Sequence, residues 1–210
     1  MKQILLLMSI FLIVTNSFGQ TDKKAQDILK SVSTKYKSYK SIKAQFTLSI
    51  ENTKNNTKDS QKGILYLKGQ KYKLEIAGQD ILSDGKTRWT FVKDANEVQI
   101  DNQKVDENAI TPANVFTIYE KGWLSKYTGD EKDSNLIELI PTDAKSKYIF
   151  KVKLTINKIQ KTITSAKVFE KNGSVQTITV DKFTVDGATD ETIYVFNNIK
   201  YPGAEIIDLR

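Results

Sequence analysis

The chain contains no cysteine and no histidine. The first absence excludes disulfides, thiolate nucleophiles and a thiol that could carry a lipid. The second removes the commonest general base and, with cysteine gone, the usual transition-metal ligands. Ser-His-Asp and Cys-His arrangements are therefore excluded. The ten glycines are spread singly, so no glycine-rich phosphate loop is present. Basic residues exceed acidic ones by seven, but the lysines alternate with apolar residues rather than forming a tight cluster. That is the pattern of a solvated strand face, not of a nucleic-acid site. The excess favours approach to anionic membrane surfaces only modestly. Carboxylates remain as acid/base candidates at Asp80/Asp84, Asp130/Glu131/Asp133 and Asp190/Glu191. All of these fall at expected turns, where Asp is a turn former, and the 130–133 group lacks the alternating ligand spacing of a calcium loop. No enzyme activity, metal or cofactor is expected.

Only one long apolar run occurs. Met1-Lys2-Gln3 precedes Ile4–Val14, and Ser17 and Gly19 stand at the −3 and −1 positions of a cut before Gln20. This is the three-part layout of a secretory signal peptide, and the run is shorter than the ~20 residues that span a bilayer. The expectation is a cleaved segment 1–19 and a single domain over 20–210, secreted across the inner membrane into the periplasm. No cysteine follows the run, so the mature protein is not itself expected to be a lipoprotein.

Ala25, Ile28, Leu29, Val32, Tyr36 and Tyr39 recur at three- and four-residue spacing, which predicts an amphipathic helix of about 18 residues, with Thr21 as N-cap and Asp22 in its first turn. From Ser41 the period becomes two. Ile42, Ala44, Phe46, Leu48 and Ile50 alternate with polar residues and predict a strand with one buried face. The polar stretch 51–62 reads as a loop or a long hairpin turn. Further strands are expected over 64–68, 71–76, 86–92, 97–100, 135–140, 148–156, 162–170, 175–183 and 192–196. Asp84-Gly85 and Asn172-Gly173 are two-residue hairpin signals. Short connections throughout argue an antiparallel sheet, and a sheet of this size twists and curls. Between strands, Thr111-Pro112 opens and Gly122 closes a segment with Val115, Phe116, Ile118 and Tyr119 on an apolar face. Those start and stop residues predict a short helix over 112–121.

Several motifs stand in one order along the chain: Gly63-Ile-Leu-Tyr-Leu-Lys-Gly-Gln-Lys-Tyr-Lys-Leu-Glu-Ile76, Ile81-Leu-Ser-Asp-Gly-Lys-Thr-Arg-Trp89, Thr111-Pro-Ala-Asn-Val-Phe-Thr-Ile-Tyr-Glu-Lys-Gly122, Ile137-Glu-Leu-Ile-Pro141, Tyr201-Pro-Gly203 and Ile207-Asp-Leu-Arg210. The ordered set resembles the LolA family over nearly all of the mature chain. The resemblance implies an α+β, mostly β fold, a curved antiparallel half-barrel of about eleven strands covered by an N-terminal helix and a short lid helix. It also implies an apolar cavity for acyl chains. LolA proteins take triacylated lipoproteins from an ABC-type releasing complex in the inner membrane and deliver them to the outer membrane or to an acceptor there. The related acceptor LolB is a lipoprotein, which the missing cysteine argues against. The residues expected to line the cavity are Tyr72, Leu74, Ile76, Trp89 and Phe91, with Val115, Phe116 and Tyr119 from the lid. The same alternation equally describes ordinary core packing, and Trp89 with Phe91 equally describes cross-strand packing. The family often carries an Arg-Pro pair after the first motif strand. Here the turn reads Lys68-Gly69-Gln70-Lys71, with Lys68 the candidate to keep the charge but without the planar donor fork of an arginine. A second class stays open, a related periplasmic module that binds other lipids or senses envelope stress. A monomer is expected, since the working surface is a cavity.

Overall fold

In a computed structural model the described residues are 22–52, 54–103, 112, 114–143, 148–188 and 190–210. The expected signal segment and Thr111 lie outside them. The first element is helix α1, Lys23–Ser38, capped by Asp22, whose carboxylate accepts from the Lys24 and Ala25 N–H groups. Ala25, Leu29, Val32 and Tyr36 form its buried stripe. Six strands follow: β1 Ile42–Asn52, β2 Thr57–Lys68, β3 Lys71–Ile76, β4 Gln79–Ser83, β5 Thr87–Val92 and β6 Glu97–Asn102. Six more complete the chain: β7 Trp123–Glu131, β8 Ser134–Pro141, β9 Ile149–Asn157, β10 Ile163–Glu170, β11 Ser174–Val185 and β12 Glu205–Asp208. They make one unclosed sheet in the order β12-β6-β5-β4-β3-β2-β1-β11-β10-β9-β8-β7. Every pairing is antiparallel except the first in that order, in which β12 runs parallel to β6.

The fold is the expected mostly β half-barrel with α1 against its concave face, and the two hairpin signals hold. Gly85 and Gly173 sit at φ 93° and 92°, a region open to glycine without a Cβ clash. Five details differ from the expectations. The cap of α1 is Asp22, the residue expected in the first turn, and the expected cap Thr21 lies outside the described residues. Residues 51–62 are largely strand, because β1 and β2 pair as far as Asn52 and Thr57; this ribbon carries polar residues on both faces and so lacks an apolar alternation. The strands β4 and β7 were not among the expected ones. Residues 192–196 are not a strand: Glu191–Tyr194 is a 3₁₀ turn whose N-cap Asp190 accepts from the Thr192 N–H. In place of the helix expected over 112–121, residues 114–117 are turns that lead into a 3₁₀ turn, Ile118–Glu120. Val115, Thr117 and Ile118 are β-branched, which disfavours an α-helix. Phe116, in the turn before the 3₁₀ turn, and Tyr119, within it, both reach the core.

Edge strand β7 would expose unpaired backbone groups. Asp22 covers part of it: its N–H donates to the Ser125 carbonyl at 2.9 Å and its carboxylate accepts from the Tyr127 N–H at 3.3 Å. The same residue thus caps α1 and docks it. Tyr36 fixes the other end, where its hydroxyl accepts from the buried Ile163 N–H at 3.1 Å. Its ring stacks on Phe116 at 4.5 Å and meets Phe183 edge-on at 5.7 Å.

Candidate acyl-binding cavity

Side chains alternate across each strand, so register assigns the faces. Leu67, Tyr72 and Ser83 share one row, and Leu65, Leu74 and Ile81 the next. Across β1 and β11 the pairs Ala44–Phe183, Phe46–Val180 and Leu48–Ile178 continue that concave surface. Beneath α1 these rows are closed, and Ala44, Leu65 and Tyr72 are buried. Beyond α1, Phe46, Leu48, Leu74, Ile76, Ile178 and Val180 stay on the same face but are only half-buried. The sheet's apolar rows therefore outrun their cover.

The result is a cavity of about 290 Å³, at the lower end of the ~300–1,000 Å³ typical of small-molecule sites. Its floor is the half-buried set on β1, β3 and β11, and its roof is Pro112, Val115 and Phe116. Tyr148, Glu170 and Gln176 stand on its lining at one end. Glu170 accepts there from Gln176 Nε2 at 2.6 Å and from Asn172 Nδ2 at 3.1 Å, so its carboxylate is occupied by neighbours.

Glycine 63 sets the shape of the floor. A Cβ built on it would lie 2.3 Å from Phe46 Cζ and 2.9 Å from Ile76 Cγ2. The missing side chain is the seat in which the Phe46 ring lies, leaving space above it. Gly63→Ala is expected to push the ring into the cavity. Overpacking costs about 1–3 kcal/mol and outweighs the ~0.5–1 kcal/mol that alanine gains over glycine in a strand. The substitution should lower the urea midpoint slightly and weaken uptake of a long-chain fatty acid probe.

Leu74, Ile76, Val115 and Phe116 line the cavity. Tyr72 lies on the same face under the cover, 2% exposed, with its hydroxyl 3.1 Å from Gln103 Oε1. Tyr119 is buried in the core beside α1. Trp89 and Phe91 are on the opposite face: Trp89 sits in register between Leu82 and Ile100, and Phe91 packs on Tyr201 at 4.7 Å. The expectation that they line the cavity is corrected by this parity. Residues 190–201 fold over the outer face, where Leu82, Val98, Tyr194 and Tyr201 form a second, separate core. Lys68 belongs to that side too. It and Lys71 both pair with Glu191, the latter at 2.9 Å. These lysines hold the Glu191 carboxyl below its ordinary value, and they clamp the C-terminal segment to the sheet. Among the lining residues, Ile178, Val180, Tyr148 and Glu170 were not singled out from sequence; the alternation of Ile178 and Val180 was the available signal.

The tyrosines buried in the main core have little solvent to stabilise a phenolate. Burial pushes the phenols of Tyr36, Tyr72 and Tyr119 up. A raised folded-state value contributes stability that is complete below the unfolded value of about 10 and is lost as pH climbs through the folded one. The urea midpoint is expected to be level between pH 8 and 9 and to fall above pH ~10. Tyr36→Phe should shallow that fall.

No helix among the described residues is long and apolar enough to cross a membrane. Among curated proteins none matches the sequence. In solved structures, an uncharacterized conserved protein from Thermus thermophilus is similar at 12% identity and a TM-score of 0.56, over 89% of this chain and 99% of that one. A DUF1329 family protein from Desulfovibrio piger is similar at 10% identity and a TM-score of 0.50, over 84% of this chain and 98% of that one. These likenesses establish the fold alone. The family model described as outer membrane lipoprotein carrier protein LolA matches residues 37–197, well over half the chain and all of the strands that floor the cavity. By that match the chain belongs to the LolA family.

Proposed function

We propose that the protein is a periplasmic carrier, not an enzyme, that binds the acyl chains of triacylated lipoproteins in this cavity and shuttles them from the inner to the outer membrane. In this reading residues 1–19 are removed on export and 20–210 form the carrier domain. An ABC-type releasing complex in the inner membrane supplies the cargo. The outer membrane, or an acceptor in it, receives it. The observation that carries the reading is an apolar concave surface left half-exposed where α1 ends, under a roof of Val115 and Phe116.

The energetics suit a shuttle. Burying an acyl chain is worth ~0.8 kcal/mol per methylene, so one ~16-carbon chain contributes on the order of 12 kcal/mol before ordering costs. A roof bound as tightly as a core helix would make release too slow. The roof here is a set of turns, held through Phe116 on Tyr36 and through Glu120, which pairs with Lys37 at 2.6 Å and accepts from the Ser33 hydroxyl. Its displacement enlarges the cavity for cargo, and its return retains the chains. Leu74 and Ile76 with Val115 and Phe116 are the acyl contacts.

Two experiments test the proposal. Organic extraction of the protein purified from its own periplasm, followed by mass spectrometry, should yield triacylated peptides; free fatty acids or glycolipids alone would favour the lipid-binding or sensing alternative. Added to spheroplasts, the protein should release newly made lipoproteins into the supernatant. No release above a buffer control would count against the carrier role.

A further inference from the structure

The outer face of the sheet, at the end where Tyr148 and Glu170 stand, carries two adjacent rows of opposite character. Nearest the end, register aligns Leu124 with Ile140, and Phe169 with Lys151 and Val175. The bulge between Phe169 and Glu170 places Phe150 beside them, its ring 6.1 Å from that of Phe169. Ile140 and Phe150 are 42% and 43% exposed, although both are large and apolar. The next row inward reads Lys126, Glu138, Lys153, Lys167. Two residues along a strand span roughly 6.6 Å, so the lysines stand that far behind the apolar row. Lys151 bridges the rows, with Nζ 4.8 Å from the Phe169 ring centroid. Among the described residues, Glu138 faces four lysines across this patch, with Lys151 Nζ 3.9 Å from it, and the other carboxylate, Glu51 beside Val175, is paired with Lys58 at 2.9 Å.

An apolar and aromatic row backed at that depth by cations matches a bilayer interface: rings sink below the headgroups, and ammonium groups meet the phosphates. The patch is continuous with the cavity. Tyr148 lines the cavity and is itself 58% exposed, and it leads directly into Ile149 and Phe150 at the start of β9. We infer that this end of the outer face is a membrane-docking surface, which sets the mouth of the cavity against anionic phospholipid so that acyl chains pass between bilayer and cavity with little exposure to water. The inference rests on the carrier reading for its purpose but not for its measurement.

Flotation with vesicles tests it, using phosphatidylethanolamine with phosphatidylglycerol against phosphatidylcholine alone. The wild-type protein should float with the anionic vesicles at low salt, and less at high salt, where exposed charges are screened. Lys153→Glu with Lys167→Glu should weaken that partitioning about tenfold or more, and Ile140→Ser with Phe150→Ser should do the same. None of these four residues lines the cavity, so uptake of a fatty acid probe should be unchanged, which also verifies folding. Failure of the wild type to float, or equal flotation by all three proteins, overturns the docking surface. So does a dimer that the serine variant converts to monomer while flotation persists, because the patch would then be covered by a second copy. Loss of flotation with probe uptake retained supports it. Flotation without probe uptake in the wild type would sink the carrier reading and leave the docking surface standing.

Discussion

Val180→Trp is expected to abolish acyl-chain uptake while leaving the fold intact. Val180 faces Phe46 across the β1–β11 pairing and lines the cavity floor without being buried. Tryptophan suits a strand, and here its indole has a void to enter rather than a packed core to disrupt. Stability should therefore change by less than about 1 kcal/mol, against the ~1–3 kcal/mol of overpacking elsewhere. Uptake is a different matter. An indole that excludes about five methylenes forfeits ~4 kcal/mol, roughly a thousandfold in affinity. Titration with a fluorescent fatty acid, alongside urea unfolding, separates the two effects. A variant that unfolds like the wild type and binds like it would show that ligand does not enter this cavity.

Tyr36→Ala is expected to cause the largest loss of stability of any single change in α1. The side chain performs two tasks at once. Its ring fills core space between Phe116 and Phe183, and its hydroxyl satisfies the Ile163 N–H. Truncating a buried aromatic ring costs about 3–5 kcal/mol, a large share of the ~5–15 kcal/mol that holds a domain together. Tyr36→Phe keeps the ring and orphans the buried N–H, so its cost should be about 1–3 kcal/mol. The gap between the two variants in urea unfolding measures ring packing apart from the hydrogen bond. Because Phe116 is both stacking partner and roof, the alanine variant should also release bound probe faster. Equal stabilities for the two variants would mean that the ring contributes nothing, contrary to the packing described.

The same two residues illustrate what the sequence disclosed. Tyr36 was legible because the helix period places it with Leu29 and Val32, and that stripe has one destination. The floor around Val180 was legible as alternation, but alternation does not distinguish a filled face from an unfilled one. That depends on where α1 stops relative to β1 and β11, and on the absent Cβ of Gly63, both properties of assembled parts. Trp89 and Phe91 show the other limit. Their strand alternates Trp89 and Phe91 with Arg88, Thr90 and Val92; the aromatic face is the outer one, in register with Leu82 and Val98 and packed on Tyr201, and the inner face carries Arg88 paired with Asp101. Period two is blind to which face is which. The covering segment reads from the sequence as one more strand over 192–196, whereas Asp190 capping and the Lys68–Glu191–Lys71 clamp fold it into a turn. The roof was recognisable from Pro112, Phe116 and Gly122. Its conformation was not, since β-branching and the pull of two aromatics into the core outweigh the start and stop signals.

The most direct test is calorimetric titration of the delipidated protein with a synthetic triacylated lipopeptide, with Val180→Trp run in parallel. A hydrophobic hollow that the molecule cannot fill for itself predicts saturable one-to-one association with a negative heat-capacity change in the wild type, and none in the variant. Heat that never saturates, or an identical isotherm from both proteins, would contradict it.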